Sequence, residues 1–361
     1  MKKLLSILTL FFIITFCYSE VPAGYYDSAE GKIGANLKTS LYNIIKNHSA
    51  RGYGALWTAY STTDRKQDGS IWDMYSNIKW TYSSDQCGNY SSVGDCYNRE
   101  HSFPKSWFND AAPMENDCIH IVPTDGKVNG MRSNHPYGEV ETATFPSTSS
   151  DKEKVLGKLG SCKSSIGYSG TVFEPDDEYK GDFARIYFYM ATRYENIFAS
   201  WVSNAEAKPM LAGNAYPGYK TWVINMLLKW HNQDPVSQKE IDRNNAVYAF
   251  QNNRNPYVDH PDWADSVWAY KGNPANTLEN IQTNLQLNIF PNPTSGDVIN
   301  IENDMLQTGD RIEVYDMQGR IVMMKISSSS KYELLDISSL SNGFYVVLCN
   351  GNQGKFSKVG L

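Results

Sequence analysis

Residues 98–104 read Asn-Arg-Glu-His-Ser-Phe-Pro, and residues 117–134 read Asp-Cys-Ile-His-Ile-Val-Pro-Thr-Asp-Gly-Lys-Val-Asn-Gly-Met-Arg-Ser-Asn. The first stretch places a carboxylate, Glu100, directly beside an imidazole, His101. The second stretch is dense in Asn, Asp, His and Arg and contains no leucine. A segment that only fills a core does not carry so many polar groups between its apolar residues. The sequence therefore indicates that these two stretches hold polar chemistry in place.

The N-terminus has the pattern of an export signal. Lys2 and Lys3 precede an apolar run over residues 4–16, and small or polar residues follow at 17–19. This pattern is typical of a secretory signal peptide over residues 1–19, with a lipid anchor on Cys17 as the alternative. No later segment is long and apolar enough to span a bilayer. We therefore expect a secreted or cell-surface protein without stable membrane insertion.

Export changes how the remaining five cysteines are interpreted. No Cys-x-x-Cys pair is present, so disulfides are favoured over zinc ligands in an oxidising compartment. Cys87 and Cys96 flank a loop rich in Gly and Ser, and we predict that they form a disulfide. Cys118 with Cys162 is a weaker second pair, which would leave Cys349 unpaired.

The overall charge argues against one class of partner. The chain has 33 Lys and Arg against 39 Asp and Glu, a net charge of -6. Tight, sequence-specific DNA binders are usually basic. A secreted enzyme needs only a local basic surface, because phosphate interactions act close to the contacts. Transient catalysis on a polyanion therefore remains compatible with this composition.

Residues 20–268 are predicted to form one α+β unit with helices dominating its second half. Apolar residues recur at helical spacing in four segments. A start signal at Asp234-Pro235 precedes the last of them, and residues 147–170 have the Ser, Lys and Gly content of a loop or weak strand. The predicted helices cover residues 37–48, 182–195, 219–230 and 237–251.

The composition changes after this unit. Residues 269–286 are rich in Asn and Thr and lose periodicity, which predicts a linker. Residues 287–361 open with a turn-rich stretch at 289–296, and short β-branched or alternating runs separated by turn residues follow. This spacing predicts a small all-β sandwich. The predicted strands cover residues 298–301, 311–315, 320–326, 331–335, 343–348 and 355–359.

Four motifs of this tail, at 290–296, 314–320, 336–340 and 343–345, resemble the C-terminal sorting domain of type IX secretion cargo. The resemblance implies that the type IX secretion machinery is a partner. A generic carbohydrate-binding or adhesive sandwich is the alternative interpretation.

Four blocks of the first unit, at 98–104, 114–139, 185–190 and 251–261, resemble the endonuclease I family in residues and order. These are secreted or periplasmic nucleases with a ββα-metal (His-Me finger) core. The resemblance implies that His101 activates water while Glu100 and Asn129 hold a divalent metal. A neutral imidazole suits the base, and a carboxylate with an amide oxygen suits Mg²⁺ or Ca²⁺ better than zinc.

The sequence offers two candidates for the cationic side chain that stabilises the transition state. Better-known members carry an arginine in a long insertion after the Glu-His pair, but residues 102–113 contain no arginine. Arg132 matches a family arginine just after Asn129 and is a candidate catalytic residue, and Lys105 is a possible substitute. Further candidates for orienting these groups or binding phosphate are Arg99, Glu115, Asp117, His120, Glu139, Arg185 and Arg254.

Several of these residues have simpler interpretations. Glu100 could form a salt bridge with Arg99, and Asn129 before Gly130 could form a turn. Arg185 and its aromatic neighbours could pack together in a helix.

The sequence is interpreted as that of a metal-dependent, largely sequence-independent endonuclease. The family resemblance implies that it hydrolyses DNA to 5′-phosphate ends, with RNA left open as a second substrate. An extracellular binding or adhesion protein that retains the fold, or a phosphodiesterase of small esters, are the alternatives.

Overall fold

The computed structural model describes residues 21–269, 287–303, 306–317, 320–349 and 352–360. The predicted signal peptide at 1–19 lies outside the described residues, as does the predicted linker apart from residue 269. The chain divides into two compact units, Met1–Leu278 and Glu279–Leu361.

The first unit contains the four helices predicted from apolar spacing, with ends that differ by three residues or fewer. The last of them begins at a capping box in which Ser237 and Glu240 satisfy each other's backbone N–H groups, and not at Asp234-Pro235. The helices are α1 Gly34–Ile45, α2 Ala55–Thr63, α3 Gly126–Arg132, α4 Ser149–Lys152, α5 Lys180–Arg193, α6 Glu195–Phe198, α7 Thr221–Gln233, α8 Gln238–Gln251, α9 Pro256–Asp259 and α10 Asp262–Trp268.

Helix α5 lies at the centre of this unit. Every one of its residues is buried, and it packs against α1, α7 and α9. Its aromatic side chains, including Tyr187 and Tyr189, belong to the main apolar core. A helix enclosed on all sides must pair whatever charge it carries, so its Arg and Asp residues are expected to form internal ion pairs.

In the described residues of the first unit, the strands form three small antiparallel sheets, β1–β2, β3–β4 and β5–β6–β7. Strand β6 falls in the stretch predicted as loop or weak strand. Its Gly160 lies against the Thr142 carbonyl, where no side chain would fit, so glycine is required there although it is unfavourable in strands. The strands are β1 Ser70–Ile71, β2 Trp80–Thr81, β3 Tyr97–His101, β4 Ile121–Asp125, β5 Val140–Phe145, β6 Gly157–Cys162 and β7 Thr171–Pro175.

Strands β3 and β4 and helix α3 form one continuous unit. In the β3–β4 register, Glu100 lies opposite Val122 and His101 opposite Ile121. Asp125 ends β4 and caps α3 by accepting a hydrogen bond from the Val128 N–H. Helix α3 therefore starts at the residue after the end of β4. Asn129 and Gly130 lie within this helix, so the interpretation of Asn129 as a turn residue is wrong.

The cysteines confirm one predicted pair and overturn the other. Cys87 and Cys96 form a disulfide with a Cα–Cα distance of 5.7 Å. Cys118 and Cys162 are both free and buried. They belong to different apolar clusters, Cys118 to the main core and Cys162 to a small cluster with Val140 and Val172. The predicted Cys118–Cys162 pair is therefore wrong.

The second unit is all β. A four-stranded sheet in the order β11-β10-β13-β14 and a three-stranded sheet in the order β12-β9-β8 contribute to one apolar core. Strand β8 occupies part of the stretch predicted as a turn-rich opening. The strands are β8 Asn288–Phe290, β9 Val298–Glu302, β10 Arg311–Tyr315, β11 Ile321–Ile326, β12 Tyr332–Asp336, β13 Gly343–Cys349 and β14 Asn352–Lys358.

Candidate active site

Glu100 lies near the end of β3 with 3 % of its surface exposed. Its Oε1 accepts hydrogen bonds from the Tyr75 hydroxyl (2.9 Å) and from Arg132 Nη1 (2.8 Å). Burial raises the pKa of Glu100 to about 7, against the opposing effect of the Arg132 guanidinium. The ion-pair partner of this carboxylate is Arg132, so the alternative pairing with Arg99 is wrong.

Arg132 holds the end of β3 in place. Besides Glu100, Nη1 donates to the His101 carbonyl (3.0 Å) and Nη2 donates to the Ser102 carbonyl (2.6 Å). The guanidinium also lies over the Tyr137 ring, 4.7 Å from its centroid. Only 1 % of the residue is exposed. These are the contacts of a group that positions Glu100 and the strand, and not of one that touches a substrate.

His101 is held by a backbone carbonyl. Its Nε2 lies 2.9 Å from the Glu115 oxygen. A carbonyl only accepts hydrogen bonds, so Nε2 carries the ring proton and Nδ1 is left as the proton acceptor. Burial and the neighbouring His120 lower the pKa of His101 to about 3. The imidazole is therefore neutral near pH 7, and it stacks on the Tyr53 ring at a centroid distance of 5.6 Å.

Asn129 connects α3 to the same strand. Its Nδ2 donates to Asn98 Oδ1 (2.7 Å), as Arg132 donates to Glu100. Asn98 and Glu100 lie on one face of β3, and Asn129 and Arg132 lie about one turn apart on α3. Helix α3 therefore lies across that face of β3 and brings Asn129 to the strand that carries Glu100. Asn98 was not among the predicted residues, although its position two residues before Glu100 places it on this face.

The side chains of Glu100 and Asn129 offer oxygen atoms, the ligand type that hard divalent cations prefer. In the described residues, both hydrogen bonds to the Glu100 carboxylate fall on Oε1, which leaves Oε2 for another ligand. The contact of Asn129 Nδ2 with Asn98 similarly leaves the Asn129 Oδ1 for a ligand. Within the described part of the chain, no group of three or more His, Cys, Asp or Glu could hold a metal ion. A cation at these two oxygens would take its other ligands from water and phosphate, as Mg²⁺ commonly does.

Glu115 and His120 support His101 through one short turn. The 3₁₀ turn Met114–Asn116 offers the Glu115 carbonyl to His101 and the Met114 carbonyl to His120 Nε2 (2.7 Å). The two imidazole rings lie 5.5 Å apart. Glu115 thus contributes its backbone carbonyl to His101, while its carboxylate remains half-exposed.

Asp117 fastens the segment before β4 to the helical core. Its Oδ2 accepts hydrogen bonds from the hydroxyls of Tyr189 (2.7 Å) and Tyr194 (2.8 Å). Its Oδ1 accepts from Gln251 Nε2 (2.8 Å). Asp117 therefore connects α5 and α8 to the segment that carries His120.

Glu139, Arg185 and Arg254 are occupied by ion pairs. Glu139 accepts from Lys229 (2.5 Å), and the Arg185 guanidinium donates to both oxygens of Glu240 (2.6 and 2.7 Å). Arg254 pairs with Asp259 (2.7 Å). Arg185 and Arg254 are 0 % and 1 % exposed, so the structure does not support the predicted phosphate contact for either.

Arg99 lies on the opposite face of β3 from Glu100. Its guanidinium is 3.6 Å from the Tyr53 ring centroid and 4.5 Å from that of Trp57. Tyr53 and Trp57 were not predicted, because Tyr53 stands between two glycines and neither residue belongs to a recognisable motif.

Both units match known families. Residues 33–262 match the endonuclease I family, and residues 288–359 match the secretion system C-terminal sorting domain. The chain is 36 % identical over 250 residues to an extracellular ribonuclease of Bacillus amyloliquefaciens, covering 68 % of this chain and 78 % of the relative. An extracellular ribonuclease of Bacillus subtilis (strain 168) is 34 % identical over 249 residues, with the same shares. An endonuclease-1 of Buchnera aphidicola subsp. Baizongia pistaciae is 30 % identical over 145 residues, 40 % of this chain and 46 % of the relative.

These matches also bear on location. Among the described residues, none of the helices is sufficiently long and apolar to cross a membrane. The sorting domain and the extracellular relatives indicate that the protein is secreted or held at the cell surface. The chain belongs to the endonuclease I family of nucleases and ends in a secretion sorting domain.

Proposed function

We propose that the protein is a metal-dependent endonuclease that hydrolyses phosphodiester bonds in DNA and RNA with little sequence preference. The observation that carries the proposal is the fixed imidazole of His101, next to Glu100 on a strand against which α3 places Asn129. The order β3, β4, α3 is the order of elements in a ββα-metal (His-Me finger) core, which supports this assignment. The proposal covers both polymers because the relatives are named ribonuclease and endonuclease.

His101 acts as the general base in this proposal. Its Nδ1 accepts a proton from the attacking water, while the Glu115 carbonyl keeps the other ring nitrogen protonated. An anionic phosphate beside the ring favours the imidazolium form, so substrate binding raises the basicity of Nδ1. The new P–O bond forms to the water oxygen and the bond to the 3′ oxygen breaks, which leaves 5′-phosphate ends.

Glu100 Oε2 and Asn129 Oδ1 would hold Mg²⁺ or Ca²⁺. A bound cation of this kind would supply charge neutralisation for the phosphorane and for the departing 3′ oxygen. Arg132 keeps Glu100 oriented by occupying Oε1, and Asn98 keeps the Asn129 amide oriented. Contacts to phosphates, and not to base edges, would give the low sequence preference.

One comparison of substrates tests this function against its alternatives. Supercoiled plasmid, a long RNA and a chromogenic phosphodiester are incubated with the full chain in Mg²⁺, in Ca²⁺ or in EDTA. We expect nicking of plasmid and cleavage of RNA that EDTA abolishes. Turnover of the chromogenic ester with intact plasmid would indicate a small-ester phosphodiesterase, and no turnover of any substrate would indicate a binding protein.

We further propose that the type IX secretion machinery recognises the C-terminal sandwich. The sorting-domain match over residues 288–359 supports this partner. Cells that lack this secretion route should retain the protein. Its appearance in their culture medium at the normal level would contradict the proposal.

A further inference from the structure

We propose that Arg99, held between Tyr53 and Trp57, forms a phosphate-binding subsite for the polynucleotide beside His101. This inference rests on the proposed nuclease function and extends it. It assigns a cation to the catalytic region, which lacks an arginine between His101 and Met114.

The Arg99 guanidinium is held in place from two directions. It lies 3.6 Å from the Tyr53 ring centroid and 4.5 Å from that of Trp57, and its Nη1 donates to the Tyr53 carbonyl (2.8 Å). This is its single hydrogen bond within the described residues. The planar group therefore keeps further N–H donors, and a phosphate can accept two of them in parallel.

Arg99 is also on the correct side of the strand. Residues two apart in a strand point to the same face, so Arg99 shares a face of β3 with His101. Both side chains contact Tyr53, since the His101 ring stacks on the Tyr53 ring at 5.6 Å. A phosphate bound by Arg99 is therefore close to the base that activates water.

The other cations near His101 are less available. Arg132 is 1 % exposed and committed to Glu100 and two carbonyls. Lys105 forms an ion pair with Asp110 at 3.0 Å. Arg99 is half-buried, and no carboxylate of the described residues lies within ion-pair distance of it. A partly exposed guanidinium without an acidic partner is suited to an anionic ligand.

Salt dependence of binding tests the subsite. Each variant is made in the full chain carrying His101→Ala, so that binding of a fluorescent single-stranded DNA 16-mer is measured without cleavage. Each phosphate contact contributes about 0.7 to the slope of log affinity against log salt for single strands. We expect Arg99→Met to reduce that slope by about 0.7 and to weaken binding about tenfold or more at low salt.

Two further variants separate phosphate binding from bracing of the fold. Arg65→Met is the matched control, because Arg65 is an exposed arginine that lies over Tyr82 and donates to the Gly69 carbonyl. It should leave the slope unchanged. Arg99→Lys keeps the charge but loses the planar fork, so it should retain the slope. Made separately in the chain that keeps His101, Arg99→Lys should lower kcat/KM for cleavage.

Three outcomes would overturn the inference. If the unmodified chain cleaves nucleic acid but Arg99→Met keeps the full slope and affinity, the subsite alone is wrong. A lower Tm in both Arg99 variants with an unchanged slope would show that Arg99 only braces the Tyr53 loop. If the unmodified chain neither cleaves nor binds nucleic acid, the proposed function fails and the subsite fails with it.

Discussion

Two buried ion pairs in this protein use the same residue types in different ways. Arg185 meets Glu240 with two parallel hydrogen bonds, so both carboxylate oxygens are occupied. Arg132 meets Glu100 through one oxygen only and donates its other hydrogen bonds to two backbone carbonyls and the Tyr187 hydroxyl. Beside the second pair, His101 also keeps one ring nitrogen without a proton. We call Arg185–Glu240 the closed pair, because both of its carboxylate oxygens are occupied. We call Arg132–Glu100 together with His101 the open region, because it retains a carboxylate oxygen and a ring nitrogen for a ligand.

Replacement of the proposed general base, His101, is expected to have the largest effect on the nicking rate. His101→Ala removes Nδ1 and should lower the rate of plasmid nicking by about 10²–10⁴-fold. The Tm, measured by circular dichroism, should change little because Arg132 still holds the strand through Glu100 and Ser102.

His135→Ala is the matched control for the base, because His135 is half-buried and is not one of the proposed catalytic groups. It should retain the nicking rate of the unmodified chain. Wild-type activity in His101→Ala would contradict the assignment of the base.

The closed pair should act on stability instead. Arg185→Met leaves the Glu240 carboxylate buried without its main partner and should lower the free energy of unfolding by about 3–5 kcal/mol. Denaturant unfolding measures this loss, and the specific nicking rate of the folded fraction should remain unchanged.

The double variant Arg185→Met with Glu240→Gln is the control for the closed pair. It removes the unpaired charge, so it should be less destabilised than Arg185→Met alone. A specific nicking rate that falls together with stability would show that the closed pair also serves the site.

Asn98 should affect metal binding in the open region, although no contact with substrate is proposed for it. Asn98→Ala removes the acceptor for Asn129 Nδ2 and should raise the Mg²⁺ concentration for half-maximal nicking by about 10–100-fold. Asn98→Asp keeps an acceptor oxygen and should not raise it. An unchanged Mg²⁺ dependence in Asn98→Ala would separate Asn129 from metal binding.

Sequence periodicity predicted the parts of the fold that depend on apolar spacing. It located α1, α5, α7 and α8. It missed α3, because a seven-residue helix with two glycines and only two apolar side chains, Val128 and Met131, carries no amphipathic pattern. It left β6 undecided between loop and weak strand, because Gly160, which close approach to the neighbouring strand requires, is unfavourable in strands.

Some residues of the candidate site were predicted from the sequence and others were not. The adjacent Glu100 and His101 pointed to chemistry by residue type alone, and family resemblance added Asn129. For Arg185, the sequence left phosphate binding and packing in the aromatic helix as alternatives, and the structure shows the buried one. The burial of Arg254 was not predicted, because an arginine in a polar run has the same appearance whether its partner is water or a carboxylate. Tyr53 and Trp57 meet Arg99 only through the fold.

Lys38 tests whether a buried charged group with an unoccupied polar atom always belongs to a functional site. Its Nζ is fully buried, has no hydrogen-bond partner among the described residues and lies 3.9 Å from Glu195. Burial lowers the pKa of Lys38 to about 8 despite the attraction of Glu195. The unfolded lysine has a pKa near 10.4, so the unfolded state binds more protons between pH 8 and 10.4 and the stability of the protein rises with pH there. Lys38→Met should therefore stabilise the protein by about 1–3 kcal/mol at pH 7, with a smaller gain at pH 10.

Denaturant unfolding at the two pH values measures this gain, and Lys32→Met, at an exposed lysine of the preceding turn, is the control. The nicking rate should be unchanged in Lys38→Met. An unpaired buried atom would then mark a site only where a base and hard oxygen ligands lie beside it. If Lys38→Met destabilised the protein or abolished nicking, Lys38 would belong with Glu100 and Arg132 as a charge that the function requires.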